Sequence, residues 1–161
     1  MVYDFPDVNT ADENGLLALG GNLSTGTLLN AYQKGIFPWY NPGDIIQWYS
    51  PDPRFVLFPG ELSVSKSMQR VIKKNEFEFR IDTAFSEVIE NCRSVKRKGM
   101  AGTWINEDIV TTFSELHDLG YAHSGEAWRQ GLLFGGLYGV LLGNIFFGES
   151  MFSLARNASK F

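Results

Sequence analysis

The strongest constraint on the fold lies in the C-terminal part of the chain, where three consecutive runs of residues have the character of β-strands. The runs cover 121–128, 132–141 and 144–152, and short turns at 129–131 and 142–144 separate them. Aromatic and β-branched residues bounded by turn-forming residues are typical of β-strands. Two tight turns between three strands predict an antiparallel meander. Such a sheet is stable only when helices or further strands cover its apolar face.

The segments before the meander carry helical and strand patterns. Ser24 is a typical N-cap, and the helix that it starts stops near Gly35. Asn106 caps another helix over 107–119, and alternation indicates a strand over 77–81. Further helices are predicted over about 66–74 and 84–93, short strands over 45–49 and 55–58, and the start of a helical turn over 157–161. Helices combined with an antiparallel sheet predict an α+β fold.

Composition restricts the class of protein. The chain has 161 residues, of which 44% are hydrophobic and 20% charged, and this balance is typical of a globular protein. Glycines interrupt its longest apolar run, so no membrane-spanning segment is expected. The acidic start lacks the features of a signal peptide, and the single cysteine, Cys92, excludes an internal disulfide. We therefore expect a cytoplasmic location.

The net charge of −4 is unevenly distributed. Residues 66–98 hold nine Lys and Arg against five Asp and Glu, a balance of +4, so the remainder carries −8. One interpretation is a solvated helix face followed by a charged loop. The other is a local phosphate-binding surface, which in an acidic protein suits a tRNA end or a nucleotide better than a long duplex.

Few residues form a recognisable catalytic or metal-binding pattern. His117 and His123 lie on different predicted elements, so no metal site is expected, and Cys92 has no activating neighbour in sequence. The glycines over 135–139 lie inside a predicted strand, where they favour close backbone approach rather than phosphate binding. Glu149 lies among aromatic residues, which indicates either a functional carboxylate or a buried ion pair.

Two of the four tryptophans stand beside turn-forming residues. An aromatic ring in that position can stack on a nucleobase, although core or groove packing is the commoner role. These two residues are Trp39 and Trp104.

The meander is similar to the central strands of GNAT acetyltransferases. In those enzymes a glycine-containing loop after the fourth strand binds the pyrophosphate of coenzyme A at a helix N-terminus. The equivalent stretch here, 151–160, contains no glycine. A GNAT-type acetyltransferase is therefore the weaker alternative, and no cofactor is expected.

Six separated stretches together resemble one family, the leucyl/phenylalanyl-tRNA–protein transferases. They read NGLLALGGNLS (14–24), AYQKGIFPWY (31–40), WYSPDPR (48–54), GTWI (102–105), GYAHS (120–124) and FGESMFS (147–153) followed by NASK (157–160). The resemblance implies a small N-terminal α/β domain, 1–60, and a partial GNAT-like domain, 61–161. It also implies an aminoacyltransferase that moves Leu or Phe, and Met less readily, from aminoacyl-tRNA to proteins with N-terminal Arg or Lys. The product is an N-end-rule degradation signal.

The resemblance also assigns roles to individual residues. Glu149 falls at the family's active-site glutamate, and Trp39 and Trp104 at the pair that holds the terminal adenine of the tRNA. The pocket for the aminoacyl side chain is expected at Leu137, Phe146 and Met151. Contacts with the tRNA backbone are expected at Lys66, Arg70, Lys73, Lys74, Arg93, Lys96, Arg97 and Lys98.

The sequence departs from the family pattern at three points. Tyr49 stands where Trp is common, and Leu137 where Met can occur; both keep an apolar surface. The family also continues with a segment resembling Ile-Asp-Cys-Gln, whose Asp and Gln are assigned to the chemistry, and nothing before Phe161 matches it. An inactive tRNA-binding fragment is therefore a further alternative.

Overall fold

The computed structural model describes residues 1–95 and 103–161, and these residues divide into two compact units. The first unit holds 1–55 and 103–116, and the second holds Val56–Val95 and His117–Phe161. Each unit has its own antiparallel sheet, and helices accompany the sheets. The α+β class predicted from the sequence is confirmed.

The first unit contains a small sheet of short strands. Its elements are β1 (Leu16–Leu19), α1 (Thr25–Gln33), β2 (Phe37–Pro38), β3 (Gln47–Tyr49) and most of α4 (Glu107–Asp118). The strand order is β1-β3-β2, with both pairs antiparallel. Trp48 of the central strand is fully buried, its indole N–H donates to the carbonyl of Gly20 at 2.8 Å, and the ring of Phe5 packs edge-on against it. Trp48 therefore anchors the core of this unit.

The predicted helix ends in this unit are confirmed. The Ser24 hydroxyl accepts the N–H of Thr27, and Gly35 takes a positive φ of 74° directly after α1. Asn106 Oδ1 accepts the N–H of Ile109 at 2.9 Å and so caps α4. These caps satisfy backbone groups that the first and last helical turns leave without a partner.

The strand predicted over 55–58 is wrong. These residues form no ladder, and the side chain of Phe55 is 93% exposed. An apolar run bounded by prolines resembles a strand by pattern, but a strand also needs a neighbour to accept and donate hydrogen bonds.

The second unit contains the predicted meander with one more strand at its edge. Its elements are α2 (Lys66–Lys73), β4 (Glu78–Ile81), α3 (Phe85–Ser94), β5 (Ala122–Arg129), β6 (Leu132–Leu142) and β7 (Ile145–Ser153). The strand order is β4-β5-β6-β7, and all neighbours are antiparallel. Apart from the strand expected over 55–58, the helices and strands predicted for this region are confirmed to within one or two residues. The basic loop expected over 94–102 lies largely outside the described residues.

The two faces of this sheet have different environments. Helix α3 packs against β5, β6 and β7, and its Val88 and Ile89 are fully buried. On the opposite face, which we call the open face, Phe79 and Met151 are each more than half exposed. One end of the open face is covered by α2 and the turn after β7. The cluster there contains Met68, Val71, Phe77, Ala127 and Ala158.

The glycines of β6 permit close contacts, as the sequence suggested. A Cβ on Gly135 would lie 2.9 Å from Ala158, and one on Gly136 would lie 2.9 Å from Phe152 and 3.0 Å from Val88. A Cβ on Gly139 would lie 2.1 Å from the carbonyl oxygen of Phe147. Larger residues would separate β6 from the elements that pack against it.

Candidate functional site

Glu149 lies at a β-bulge in the pairing of β6 with β7. Ser150 is opposite Tyr138, but the next pair is Gly148 opposite Gly139, so Glu149 is the extra residue. A bulge redirects a side chain and interrupts the ladder, and bulges are common beside active sites. The Glu149 side chain is half-buried. The sequence singled out this residue, but it contained no signal for the bulge.

The three residues expected in the aminoacyl pocket belong to the open face. Leu137 is directly opposite Met151 in the β6–β7 register. Both line a recess of about 50 Å³, to which Phe79, Gly125 and Phe161 also contribute. Phe146 is opposite Leu141, near the start of β7, and its ring lies 2.7 Å from the position that a Cβ on Gly139 would take. Leu137 and Met151 therefore form one apolar recess, and Phe146 lies beyond the bulge.

Trp39 belongs to an aromatic cluster in the first unit. Its side chain is 51% exposed and packs edge-on against Tyr49, with ring centres 5.8 Å apart. Tyr49 also stacks with Phe37, and the guanidinium of Arg54 lies 4.5 Å from the centre of the Phe37 ring. The backbone N–H of Trp39 donates to the carbonyl of Gln47. The ring is thus held by neighbours while half of its surface stays accessible.

Trp104 lies in a turn just before α4. The Thr103 hydroxyl accepts the N–H of Ile105, and Asn106, after this turn, donates from Nδ2 to the Tyr40 hydroxyl at 3.1 Å. Burial raises the pKa of Tyr40 above its ordinary value of 10.0. Because Tyr40 directly follows Trp39, this hydrogen bond connects the segments that carry the two tryptophans. Trp104 itself is half-buried.

Of the expected tRNA-backbone contacts, those that lie in the described residues belong to two helices. The bases of α2 are exposed and lie within an arc of about 100° on the side opposite Met68 and Val71. They are Lys66, Arg70, Lys73 and Lys74, the last of which is the C-cap. Arg93 on α3 is 3.4 Å from Glu90. Lys96, Arg97 and Lys98 lie outside the described residues.

Two carboxylates that the sequence did not single out are prominent in the second unit. Glu126 of β5 is 1% exposed and accepts hydrogen bonds from the N–H groups of Thr83 and Ala84, next to the N-terminus of α3. Asp82 directly follows β4 and lies 2.6 Å from His123. The local sequence held no signal for either contact, because the partners are about 40 residues apart.

Residues 1–95 and 103–161 lack two features. No helix there has the length and apolar character needed to cross a membrane. In the same residues, no group of three or more His, Cys, Asp or Glu has an arrangement that could hold a metal ion.

Two family profiles match the chain. The profile described as "Leucyl/phenylalanyl-tRNA protein transferase" matches residues 56–161. The profile described as "Leucyl/phenylalanyl-tRNA protein transferase N-terminal domain" matches residues 21–52. Together they cover most of the sequence.

Curated relatives agree with the profiles. A protein named leucyl/phenylalanyl-tRNA–protein transferase from Nitrosomonas europaea is 54% identical over 158 residues, which are 97% of this chain and 66% of that protein. Proteins of the same name from Syntrophus aciditrophicus and Myxococcus xanthus are 54% and 53% identical over 99% and 97% of this chain. The chain spans about two thirds of the length of these relatives. The extent of both matches shows that the chain belongs to the leucyl/phenylalanyl-tRNA–protein transferase family.

Proposed function

We propose that this chain transfers Leu or Phe, and Met less readily, from aminoacyl-tRNA to proteins that begin with Arg or Lys. The reaction would create an N-end-rule degradation signal. The observation that carries the proposal is the apolar recess at Leu137 and Met151. A single pair of the β6–β7 ladder, Tyr138 opposite Ser150, separates this recess from the bulge at Glu149. The substrates place the reaction in the cytoplasm, and the proposal includes no cofactor or metal.

The chemistry of the reaction sets modest demands on the protein. An aminoacyl ester is already activated, so catalysis consists mainly of aligning a free amine with the ester carbonyl. An apolar pocket suits the side chains of Leu, Phe and Met. Such a pocket discriminates by about 1–3 kcal/mol per methylene, so overlap among these three is expected. Glu149 would orient the incoming amine by accepting a hydrogen bond from it.

The remaining roles follow from the aromatic and basic residues. Trp39 and Trp104 would hold the terminal adenine of the tRNA by stacking. Bases on one face of α2 would contact phosphates, for which Lys and Arg are the usual partners. Lys96, Arg97 and Lys98 would extend these contacts, as would Arg93.

The function is tested by a transfer assay with labelled Phe-tRNA and two acceptor proteins, one beginning with Arg and one with Ala. We expect label on the first acceptor only. Leu137→Ala removes one wall of the recess and should lower kcat/KM at least tenfold. Leu132→Ala, at the exposed start of the same strand, is the matched control and should leave transfer unchanged.

Two other outcomes would contradict the proposal. Saturable binding of Phe-tRNA without label on either acceptor would favour an inactive tRNA-binding fragment. Saturable micromolar binding of acetyl-CoA in calorimetry, without tRNA-dependent transfer, would favour a GNAT-type acetyltransferase.

Trp39→Ala should weaken the binding of aminoacyl-tRNA. Stacking of one base on an aromatic ring contributes about 1–3 kcal/mol, so we expect Kd to rise about 5- to 150-fold. Fluorescence anisotropy with end-labelled Phe-tRNA measures the change. Phe55→Ala, which removes an exposed aromatic residue of the same unit, is the control. An unchanged Kd for Trp39→Ala would refute the stacking role.

A further inference from the structure

Asp82 and His123 form a tightly held pair at the end of β4. Asp82 has a φ of 56°, a conformation that Asp tolerates better than most residues. Its backbone N–H donates to the carbonyl of Ser124 at 3.1 Å, and its Oδ1 accepts the N–H of Ser124 at 2.7 Å. The other carboxylate oxygen, Oδ2, lies 2.6 Å from Nδ1 of His123. The carboxylate is therefore fixed at both oxygens.

This contact determines the role of each nitrogen in the His123 ring. A carboxylate accepts hydrogen bonds, so Nδ1 must be the donor. In the neutral ring Nε2 then carries the lone pair, and the geometry of imidazole directs it away from Asp82. A carboxylate that holds a histidine in this tautomer is the arrangement that prepares a general base.

The second histidine has a different environment. Nδ1 of His117 lies 2.9 Å from the carbonyl oxygen of Ala122, which can only accept a hydrogen bond. The His117 ring stacks on Phe85 with ring centres 4.2 Å apart. Its Nδ1 is 3.9 Å from Asp82 Oδ1, beyond hydrogen-bond distance. His117 is thus a packing residue and supplies a matched control.

His123 lies in the same row of the sheet as the bulge. It is opposite Gly139 on β6, and Gly139 is opposite Gly148 on β7, next to Glu149. The neighbouring row contains Gly125, opposite Leu137. Two residues along a strand span about 7 Å. An aminoacyl side chain in the recess would therefore bring its ester carbonyl near the row of His123, where the ring of Phe146 lies over Gly139.

We propose that His123 is a catalytic residue of the aminoacyl transfer, an inference that rests on the proposed function. The neutral α-amine of the acceptor attacks the ester carbonyl, and the new C–N bond forms. His123 Nε2 accepts a proton from the attacking nitrogen. The bond between the carbonyl carbon and the ribose oxygen of the terminal adenosine breaks, and His123 returns the proton to that oxygen. Asp82 acts as a positioning residue by holding the ring.

The test compares single-turnover transfer by the unaltered chain with transfer by His123→Ala, using labelled Phe-tRNA and the acceptor that begins with Arg. Loss of a general base costs about 10²- to 10⁴-fold. We expect a rate at least 100-fold lower, with Kd for Phe-tRNA unchanged. Added imidazoles should restore transfer, and the restored rate should rise with their basicity. A purely structural role would not produce that dependence.

Two further variants keep the test decisive. Asp82→Asn retains an acceptor for the Ser124 N–H but no longer enforces the tautomer, and should slow transfer at least tenfold without changing Kd. His117→Gln should transfer within twofold of the unaltered rate. If His123→Ala does not fold, the rate of single-turnover transfer by Asp82→Asn decides whether the proposal for His123 holds.

The outcomes separate the two proposals. If the unaltered chain transfers Phe and His123→Ala does so at a rate within threefold of it, the role of His123 is refuted and the proposed function is not. Asp82→Asn takes the place of His123→Ala in this comparison if His123→Ala does not fold. Absence of transfer by the unaltered chain would refute the proposed function and the role of His123 with it. Slow transfer that basic imidazoles restore would support both.

Discussion

Glu126→Gln should lower the free energy of unfolding by about 3 kcal/mol at neutral pH, because a buried, hydrogen-bonded charge is removed. The Glu126 carboxylate accepts from the N–H groups of Thr83 and Ala84 at 2.9 and 2.8 Å. It also accepts from the Ser124 hydroxyl and from the indole N–H of Trp128, each at 2.8 Å, and from the hydroxyl of Thr83. A glutamine offers one oxygen to these donors and turns an NH₂ group toward the others.

The position of Glu126 at the start of α3 increases the effect. Ala84 is the N-cap residue of this helix and has no side chain that could accept a hydrogen bond. Glu126 of β5 therefore caps α3, and its negative charge at the N-terminus of this helix also interacts favourably with the helix dipole. For a chain of this length, a loss of about 3 kcal/mol corresponds to a fall in Tm of about 6–12 °C.

The stabilisation should depend on pH. Burial acts to raise the pKa of Glu126, but the hydrogen bonds from Thr83, Trp128, Ala84 and Ser124 outweigh it, so the pKa lies below the ordinary value of 4.5. The unfolded chain then binds the proton more readily than the folded chain. The stabilisation is therefore complete above about pH 4.5 and is lost as the pH falls through the lower pKa of the folded protein.

Urea unfolding of the unaltered chain and Glu126→Gln at several pH values measures both effects. The two stabilities should differ most at pH 7 and converge below about pH 4.5. Glu78→Gln is the matched control, since Glu78 is exposed and pairs with Arg80 at the surface. A difference in the free energy of unfolding between the unaltered chain and Glu126→Gln that stays constant down to pH 3 would contradict this role of Glu126. Equal losses of stability in Glu126→Gln and Glu78→Gln would contradict it as well.

Gly139→Ala should destabilise the second unit by about 3 kcal/mol. The added Cβ would lie 2.1 Å from the carbonyl oxygen of Phe147 and 2.9 Å from its carbonyl carbon, and the backbone there cannot move without disturbing the bulge. Forcing an extra methyl group into a packed site costs about 1–3 kcal/mol, and more where a ladder is broken. Because Glu149 is the bulged residue, transfer activity should also fall.

Gly125→Ala provides a matched control on the neighbouring strand and the same face. Its Cβ would lie 3.4 Å from Phe79 and 3.8 Å from Leu137, so the added methyl group meets side chains that can adjust. Thermal unfolding followed by circular dichroism should show a fall of about 6–12 °C for Gly139→Ala and little change for Gly125→Ala. Similar melting temperatures for the two variants would show that β7 adapts to a side chain at position 139.

The elements that depend on neighbouring residues could be predicted from the sequence. Ser24 and Asn106 were recognised as caps because a cap bonds to residues two or three positions away. The meander was recognised because its turns are short and its strands consecutive. The strand expected over 55–58 failed, and β1 and β2 were missed, because pairing of such short segments depends on distant partners.

The candidate site was predictable only in part. The resemblance pointed to Leu137, Met151 and Glu149, but their arrangement depends on the register of β6 and β7. A one-residue bulge changes which side chains share a row of the sheet, and no local sequence pattern predicts this bulge. Asp82 and Glu126 were missed for the same reason, since each acts on residues about 40 positions away.

Motifs, helix caps and periodicity are enough to predict the family, the α+β class and most helix and strand positions. The bulge at Glu149, the capping of α3 by Glu126 and the contact of Asp82 with His123 become visible only in the folded chain. Strand pairing is the physical reason. It sets contacts between residues far apart in the chain, and their energies depend on burial and register that no single segment encodes.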